Sequence, residues 1–515
     1  MTEKATDAAS PFARMAARID AAVFDAPTDR VLMETSAGWL TYASLGAAMR
    51  RLNTAFRALG LAPGDRAAVF SQDDAAVVTL FFALLRAGIT PVMGDGQASA
   101  QEEAELLKIS RPAAIFADAA LLSQPGRVSG LPAAKTIVIG QASPTLAAAS
   151  LADLLATSPP SDFAAPQAAP EIAVIVFTSG TTSEPKGVAL SYGNLIAQLE
   201  TFAEVYGFDA ETRLLNVLPM HHVDGLFRGP LSALWFGGAV LRPLRFGPGT
   251  AAATLAAVAA GRATHFITVP AMLGVLMRMR LAESHGDAFR TADFRFVLCS
   301  ADYLEPELWS GFEAAFGVIV VNAYGLSEAV CDAIFCGPDP ESRRVGTLGR
   351  PHGCVARVLD EDGREASQGA VGELALMGPM VMTGYFDAPE ATAAVLRGGW
   401  FHTGDFVRLA GDGCFEFVGR RKTRIVRAGV TIHPESITSV LLAMPGVAEA
   451  ATFGVADGGF GDKIIACVAP APGFNPSEAD VAAHCRERLG PERTPSRIHI
   501  LPELPRGAAG KVALD

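Results

Sequence analysis

Along the first 140 residues, short apolar runs alternate with stretches of helical periodicity, and this alternation constrains the fold most. Leu45, Met49, Leu52, Phe56 and Leu59 recur at spacings of four and three between Thr41 and Gly60. That is one amphipathic helix with a start and a stop signal. Strand-like runs fall at 66–70, 89–93, 113–117 and 136–139, with a second helix at 75–87. Strands joined by helices build βαβ units and a mostly parallel sheet. Residues 141–170, rich in Ala, Ser and Pro, read as a surface connector, after which the alternation resumes to about residue 415. Half of the 515 residues are apolar, enough for large cores.

After Gly419 the pattern changes. The basic cluster Arg420, Arg421, Lys422, Thr423, Arg424 precedes helices near 437–444 and 477–489 and strands near 450–455, 464–469 and 498–501. Such a tail suits a small α+β domain on a charged connector, where a hinge is expected. The expected division is a large domain over 1–418, a hinge over 419–424 and a small mobile domain over 425–515.

A net charge of −12 argues against a general nucleic-acid or anionic-membrane surface. Any anionic ligand must then be held by local positive groups. The seven cysteines (Cys299, Cys331, Cys336, Cys354, Cys414, Cys467, Cys485) contain no Cys-x-x-Cys pair. They fit reduced thiols in a cytoplasm better than a disulfide framework or a zinc site. The N-terminus lacks a signal-peptide core, and the longest apolar stretch, around 75–85, is too short to span a bilayer.

The chemistry concentrates at Thr178, Ser179, Gly180, Thr181, Thr182, Ser183, Glu184, Pro185, Lys186, Gly187, directly after the apolar run 172–177. Ser191 then starts a helix through Leu195, Leu199 and Phe202. A loop between strand and helix, dense in backbone N–H groups and hydroxyls and carrying one lysine, suits a polyphosphate such as ATP. It is not a Walker A motif, because no Gly-Lys-Ser/Thr follows at the required spacing.

Five further segments follow in order: Tyr324-Gly-Leu-Ser-Glu328; Gly372-Glu-Leu374 with Gly384-Tyr385; Trp400 through Thr403-Gly-Asp405; Gly419-Arg420 through Gly429 and Pro434-Glu435; and Pro505-Arg506 with Gly510-Lys511. Together with the loop they resemble the adenylate-forming enzymes: acyl-CoA synthetases, peptide-synthetase adenylation domains and luciferases. The resemblance covers nearly the whole chain and is strongest to acyl-CoA synthetases. It implies an α/β fold, with a large N-terminal domain of parallel-rich sheets, a small β-barrel-like subdomain, a hinge and a small α+β C-terminal domain.

What the resemblance implies for single residues is as follows. The loop residues and Lys186 hold the β- and γ-phosphates. Glu328 ligates Mg²⁺, a hard oxygen ligand for a hard cation. Tyr324, in a segment with Gly325 and Ser327, stacks on adenine; Asp405 accepts the ribose hydroxyls; Arg420 reaches ribose and phosphate. Lys422 is the hinge residue. Lys511 bridges the substrate carboxylate and the α-phosphate, and Gly429 lines a pantetheine tunnel after the small domain rotates. His222, in Leu218-Pro-Met-His-His-Val-Asp-Gly225, borders the acyl pocket with Asp224, Ser300, Ala301 and Asp302.

The implied reaction joins a carboxylic acid to a thiol through acyl-AMP, with ATP, Mg²⁺ and coenzyme A as cofactors. The acceptor is coenzyme A, or alternatively a carrier-protein phosphopantetheine; a non-catalytic nucleotide-binding scaffold is the remaining alternative. Two departures stand out. Ser300-Ala-Asp-Tyr-Leu304 replaces a Gly-Gly-Ala-Pro-Leu-like segment, and Val426, not lysine, follows the hinge isoleucine, with Arg427 next. Asp224 and Arg228 indicate a small polar acid, with an amine or second carboxylate, only if both face the pocket. If they pair with each other they say nothing, and the rarity of unpaired buried charge favours pairing.

Overall fold

The computed structural model of the protein describes residues 9–25, 28–123, 135–140, 149–164, 170–178, 185–421, 423, 425–427, 430–456, 462–491 and 493–505. The alternating N-terminal pattern becomes an eight-stranded sheet. Its spatial order is Gly384–Tyr385, Lys186–Ser191, Ile172–Thr178, Thr90–Asp95, Arg66–Ser71, Ala114–Asp118, Thr136–Ile139, Ala149–Ser150. From Ile172–Thr178 onward all neighbours run parallel. Their apolar runs are buried on both faces, as covered parallel strands require.

A second, nine-stranded sheet has a parallel centre of Val320–Tyr324, Phe296–Cys299, His265–Thr268, Arg213–Asn216, Ala239–Arg242 and Val31–Thr35. Helix Asp74–Ala87, buried from Val77 through Arg86, packs against Arg66–Ser71 of the first sheet and Val31–Thr35 of the second. One hydrophobic core therefore joins the two sheets. The amphipathic helix comes out as Tyr42–Ala58, capped by Thr41 through a reciprocal bond with Ser44.

Three expectations change. The segment 141–170, read as a connector, contributes a strand (Ala149–Ser150) and a helix (Leu151–Thr157) in its described part. Ser150 caps that helix, and only Leu151 of it is fully buried, so the alanine-rich composition masked it. The β/α alternation ends before residue 415. The expected barrel-like unit is a five-stranded antiparallel sheet of Val355–Leu359, Val371–Met377, Leu396–Arg397, Trp400–Leu409 and Phe415–Arg420. Finally, the phosphate-type loop does not lead from strand to helix. It joins two antiparallel strands, Ile172–Thr178 and Lys186–Ser191, and the helix starts only at Tyr192.

The C-terminal tail has its own core of Ile437, Leu441, Ile464, Val468, Val481 and Ile498. Strand Val447–Ala456 runs antiparallel to Asp462–Pro470, which pairs in parallel with Arg497–Ile500. Helices Pro434–Leu442 and Glu478–Leu489 complete it. The last strand of the antiparallel sheet runs through Arg420, two residues into the segment expected as hinge. Tail and large domain touch where Ser439 Oγ donates to Glu305 Oε1 at 3.1 Å, and where Arg278 lies 3.3 Å from Glu449.

Candidate active site

The first cluster forms where the nine-stranded sheet meets the antiparallel one. Strand Val320–Tyr324 ends in a turn that only glycine fits: a Cβ on Gly325 would lie 1.3 Å from the Cys331 carbonyl oxygen. On the antiparallel sheet, Gly404 (φ 77°) turns the chain into Asp405, which is opposite Arg420 in register. Tyr324 Oη donates to Asp405 Oδ2 at 2.7 Å, and Arg420 Nε stands 3.4 Å from Asp405 Oδ1. Burial pushes the Asp405 carboxyl up, while the Arg420 guanidinium and the Tyr324 hydroxyl hold it down. Ala301, Asp302, Tyr303, Tyr324, Phe417 and Arg420 line one crevice. It offers an aromatic face and a carboxylate, the groups a ribonucleoside needs.

A second cluster adjoins it. Edge strand Gly384–Tyr385 pairs with Ala189 and Val188 of the strand that begins at Lys186. This register puts Lys186 Nζ 4.8 Å from the centre of the Tyr385 ring. Tyr385 Oη donates to Glu328 Oε1 at 2.8 Å, and Met382 N donates to the Glu328 carbonyl. Burial raises the Glu328 carboxyl, opposed first by the Tyr385 hydrogen bond. Thr178 lies opposite Lys186 in register, so the two strand ends that flank residues 179–184 meet at this cluster. Glu328 is one hard oxygen donor, and no group of three metal-ligating side chains occurs among the described residues. A Mg²⁺ held by one carboxylate and otherwise by phosphate oxygens fits such a site.

Val330, just beyond Glu328, is a β-branched residue at φ 64° and ψ −68°, a strained three-residue turn that sends the chain to Asp332. Asp332 belongs to a third, buried cluster. Arg228 is paired with Asp224 at 3.0 Å, is bonded to Asp332 and Ser300, and is 1% exposed. Tyr206 Oη donates to the other Asp332 oxygen at 2.8 Å. Burial pushes Asp332 up to about 6, with Arg228 opposing it. His222 caps the short helix Val223–Leu226, its Nδ1 accepting from Asp224 N at 3.3 Å and lying 3.1 Å from Asp224 Oδ2.

The structure thus brings together Tyr324, Asp405 and Arg420; Lys186 and Glu328; and His222, Asp224 and Ser300. Ala301 and Asp302 lie in the Tyr324 crevice, whereas Ser300 belongs to the Arg228 cluster. Gly325 forms the turn between, and Ser327 opens the short helix carrying Glu328. Asp224 and Arg228 pair with each other, the arrangement under which they say nothing of the acid. Ser179, Gly180, Thr181, Thr182, Ser183, Lys422, Gly429 and Lys511 lie outside the described residues. Sequence reasoning gave Tyr385 and Asp332 no role. Tyr385 had a signal, the quoted Gly384-Tyr385 pair, whereas nothing local marks Asp332.

Comparison with known proteins gives the family. The family model described as AMP-binding enzyme matches residues 19–386, and that of the AMP-binding enzyme C-terminal domain matches 436–511. The sulfoacetate–CoA ligase of Cupriavidus necator is 38% identical over 66% of this chain and 65% of its own length. The match therefore spans about two thirds of that relative. The oxalate–CoA ligase of Arabidopsis thaliana is 32% identical over 88% of both chains. Among solved structures, ATP-bound MatB from Rhodopseudomonas palustris superposes with a TM-score of 0.84 at 27% identity, covering 97% of each chain. With both family models matched and a relative 32% identical over 88% of its length, the chain belongs to the AMP-binding enzymes and is an adenylate-forming enzyme of the acid–CoA ligase group.

Proposed function

We propose that the protein is an ATP-dependent ligase that joins a short carboxylic acid to coenzyme A. One observation carries this reading: Tyr324 and Arg420 line one crevice and both meet the buried Asp405, while the cluster of Glu328, Tyr385 and Lys186 lies near it, at the strand that begins with Lys186. A carboxylate is a poor electrophile toward a thiol until one of its oxygens is part of a leaving group. Attack on the α-phosphorus of ATP supplies one, giving acyl-AMP and pyrophosphate; the coenzyme A thiol then displaces AMP.

In this reading Tyr324 stacks on adenine and Asp405 accepts the ribose hydroxyls, with Arg420 neutralising Asp405 and reaching phosphate. Lys186 and loop residues 178–183 take the outer phosphates. Bound Mg²⁺ supplies charge neutralisation at the phosphates, and Glu328 is its protein ligand. Lys511 neutralises the two anions that must meet, and preorganised cations of this kind contribute most in a water-poor cleft. The large domain ends and the small one begins around residues 419–424, with Lys422 at the pivot. Gly429 lines the thiol path. Free, unpaired cysteines and the lack of any membrane-crossing helix among the described residues support placement in the cytoplasm.

The short-acid reading takes its support from the relatives named for sulfoacetate and oxalate, both small acids; relatives of similar identity are named for indoleacetate and feruloyl-CoA, so acid size is the variable the screen must decide. A pyrophosphate-release screen across acids, with and without coenzyme A, tests this. Release is expected to be fastest with short acids and to yield the acyl-CoA. Fastest turnover with fatty or bulky aromatic acids would overturn the size assignment, and product found only with a carrier protein would overturn the acceptor.

A further inference from the structure

Glu373 is a buried carboxylate with no part in the chemistry above, yet it is bonded to both sides of the nucleotide turn. It sits on strand Val371–Met377, 6% exposed, in the Gly372-Glu-Leu374 segment. Its Oε1 accepts from the Gly404 amide at 3.1 Å. Its Oε2 is 2.6 Å from Arg421 Nη2 and 3.1 Å from His402 Nδ1. The Arg421 amide in turn donates to the Gly404 carbonyl at 2.7 Å. Thr403 is pinned to the same strand, its hydroxyl donating to the Leu374 carbonyl and accepting from the Asp405 amide. Gly404 is therefore held through its amide by Glu373 and through its carbonyl by Arg421.

Two consequences follow from those bonds. Asp405 has its backbone direction set by a left-handed glycine whose amide points at Glu373, so the aim of the Asp405 carboxylate depends on Glu373. Arg421 is the first residue past the last strand of the large domain, and its half-exposed side chain is tied back to that same carboxylate. A charge-assisted bond of this length is stronger than a neutral one and is directional. We propose that Glu373 is a positioning residue that aims Asp405 at the nucleotide and couples that turn, through Arg421, to the segment where the small domain begins. This rests on the ligase reading for its hinge half only; the nucleotide half stands on the crevice itself.

The test uses the full chain with AMP as probe, plus rates for acyl-AMP formation and for thiolysis of supplied acyl-AMP. Glu373→Gln keeps an oxygen for the Gly404 amide and loses the charge for Arg421, whereas Glu373→Ala loses both. Loss of a buried acceptor of this kind is expected to weaken AMP binding about tenfold in Glu373→Ala. Glu373→Gln should stay within about twofold of the parent, a rescue that a merely structural role would not give. Arg421→Ala, at a half-exposed position that is safe for folding, should shift the ratio of the two half-reaction rates in the same direction as Glu373→Gln. The double variant should shift it no further, as for two members of one interaction.

Equal loss of AMP binding in both Glu373 variants would overturn the aiming role. Multiplicative effects, or an unchanged ratio in Glu373→Gln and Arg421→Ala, would overturn the coupling. AMP binding needs no turnover, so a parent protein that binds AMP but forms no acyl-AMP would refute the ligase reading while the binding comparison still decides the role of Glu373.

Discussion

Ala301 holds a left-handed backbone, φ 73°, at the rim of the nucleoside crevice. The resemblance led to glycine there, and the backbone keeps the conformation glycine favours although the residue has changed. An L side chain in this region costs about 1–2 kcal/mol, part of which glycine's larger unfolded-state freedom offsets. Ala301→Gly should therefore stabilise the large domain by about 0.5–1 kcal/mol, read as a higher urea midpoint with unchanged slope. A lower midpoint would show that the methyl group packs usefully in the rim. Residue identity was most legible where the chemistry is local, as at Asp405 after Thr403-Gly404. It was least legible where the partner is remote: Tyr385 meets Glu328 across 57 residues because an edge strand pairs with the strand of Lys186. Asp332 meets Arg228 across 104 residues, and no spacing announces that.

Among elements, those with their own caps and periodicity were legible. Ser191 and Ser477 each cap the expected helix by a reciprocal bond. Strand Lys186–Ser191 was missed because its short run Val188-Ala-Leu190 reads as the lead-in to the helix Ser191 caps, and only pairing with Ile172–Thr178 makes it a strand. Helix Pro434–Leu442 carries a contact with a pH consequence. Its Ser439 donates to Glu305, whose carboxyl burial pushes from 4.5 to about 7; the Ser439 bond opposes the rise, and Glu307 and Asp302 add to it. Undocked and hydrated, Glu305 would titrate near the ordinary value, so the docked form holds an extra proton between the two. Its contribution to docking is full below about 4.5 and lost as pH rises through about 7. Proteolytic cleavage between the domains should accelerate over that window and level off above it. Glu305→Gln should flatten the profile; an unchanged profile would assign the pH response to another group.

At the scale of the whole molecule, two separate cores on one chain make a rigid relative placement of the domains unnecessary for stability. Each buries its own apolar residues, and the described connections between them are few, among them the polar pairs Ser439 with Glu305 and Arg278 with Glu449 and the ring contact of Phe406 with His433. Polar contacts exchange for water at little net cost, so reorientation of the small domain is physically cheap. The tail's own core lies beyond the change of composition near residue 419. The polar contacts of the lobes were not legible in the sequence, since Ser439 with Glu305 and Arg278 with Glu449 each join residues more than a hundred positions apart. A reaction in two steps with different electrostatic needs can use this freedom. Acid activation brings two anions together and needs an added cation, whereas thiolysis of a finished adenylate does not. If Lys511 supplies that cation from the small domain, Lys511→Ala should slow acyl-AMP formation by about 10²–10³, as for loss of a transition-state donor. The same variant given pre-formed acyl-AMP and coenzyme A should turn it over at close to the parent rate. Single-turnover rates for each step, measured separately, decide the matter. Equal loss in both would mean that Lys511 acts on one fixed arrangement of the lobes, and the two-step use of a mobile domain would have to be abandoned for this protein.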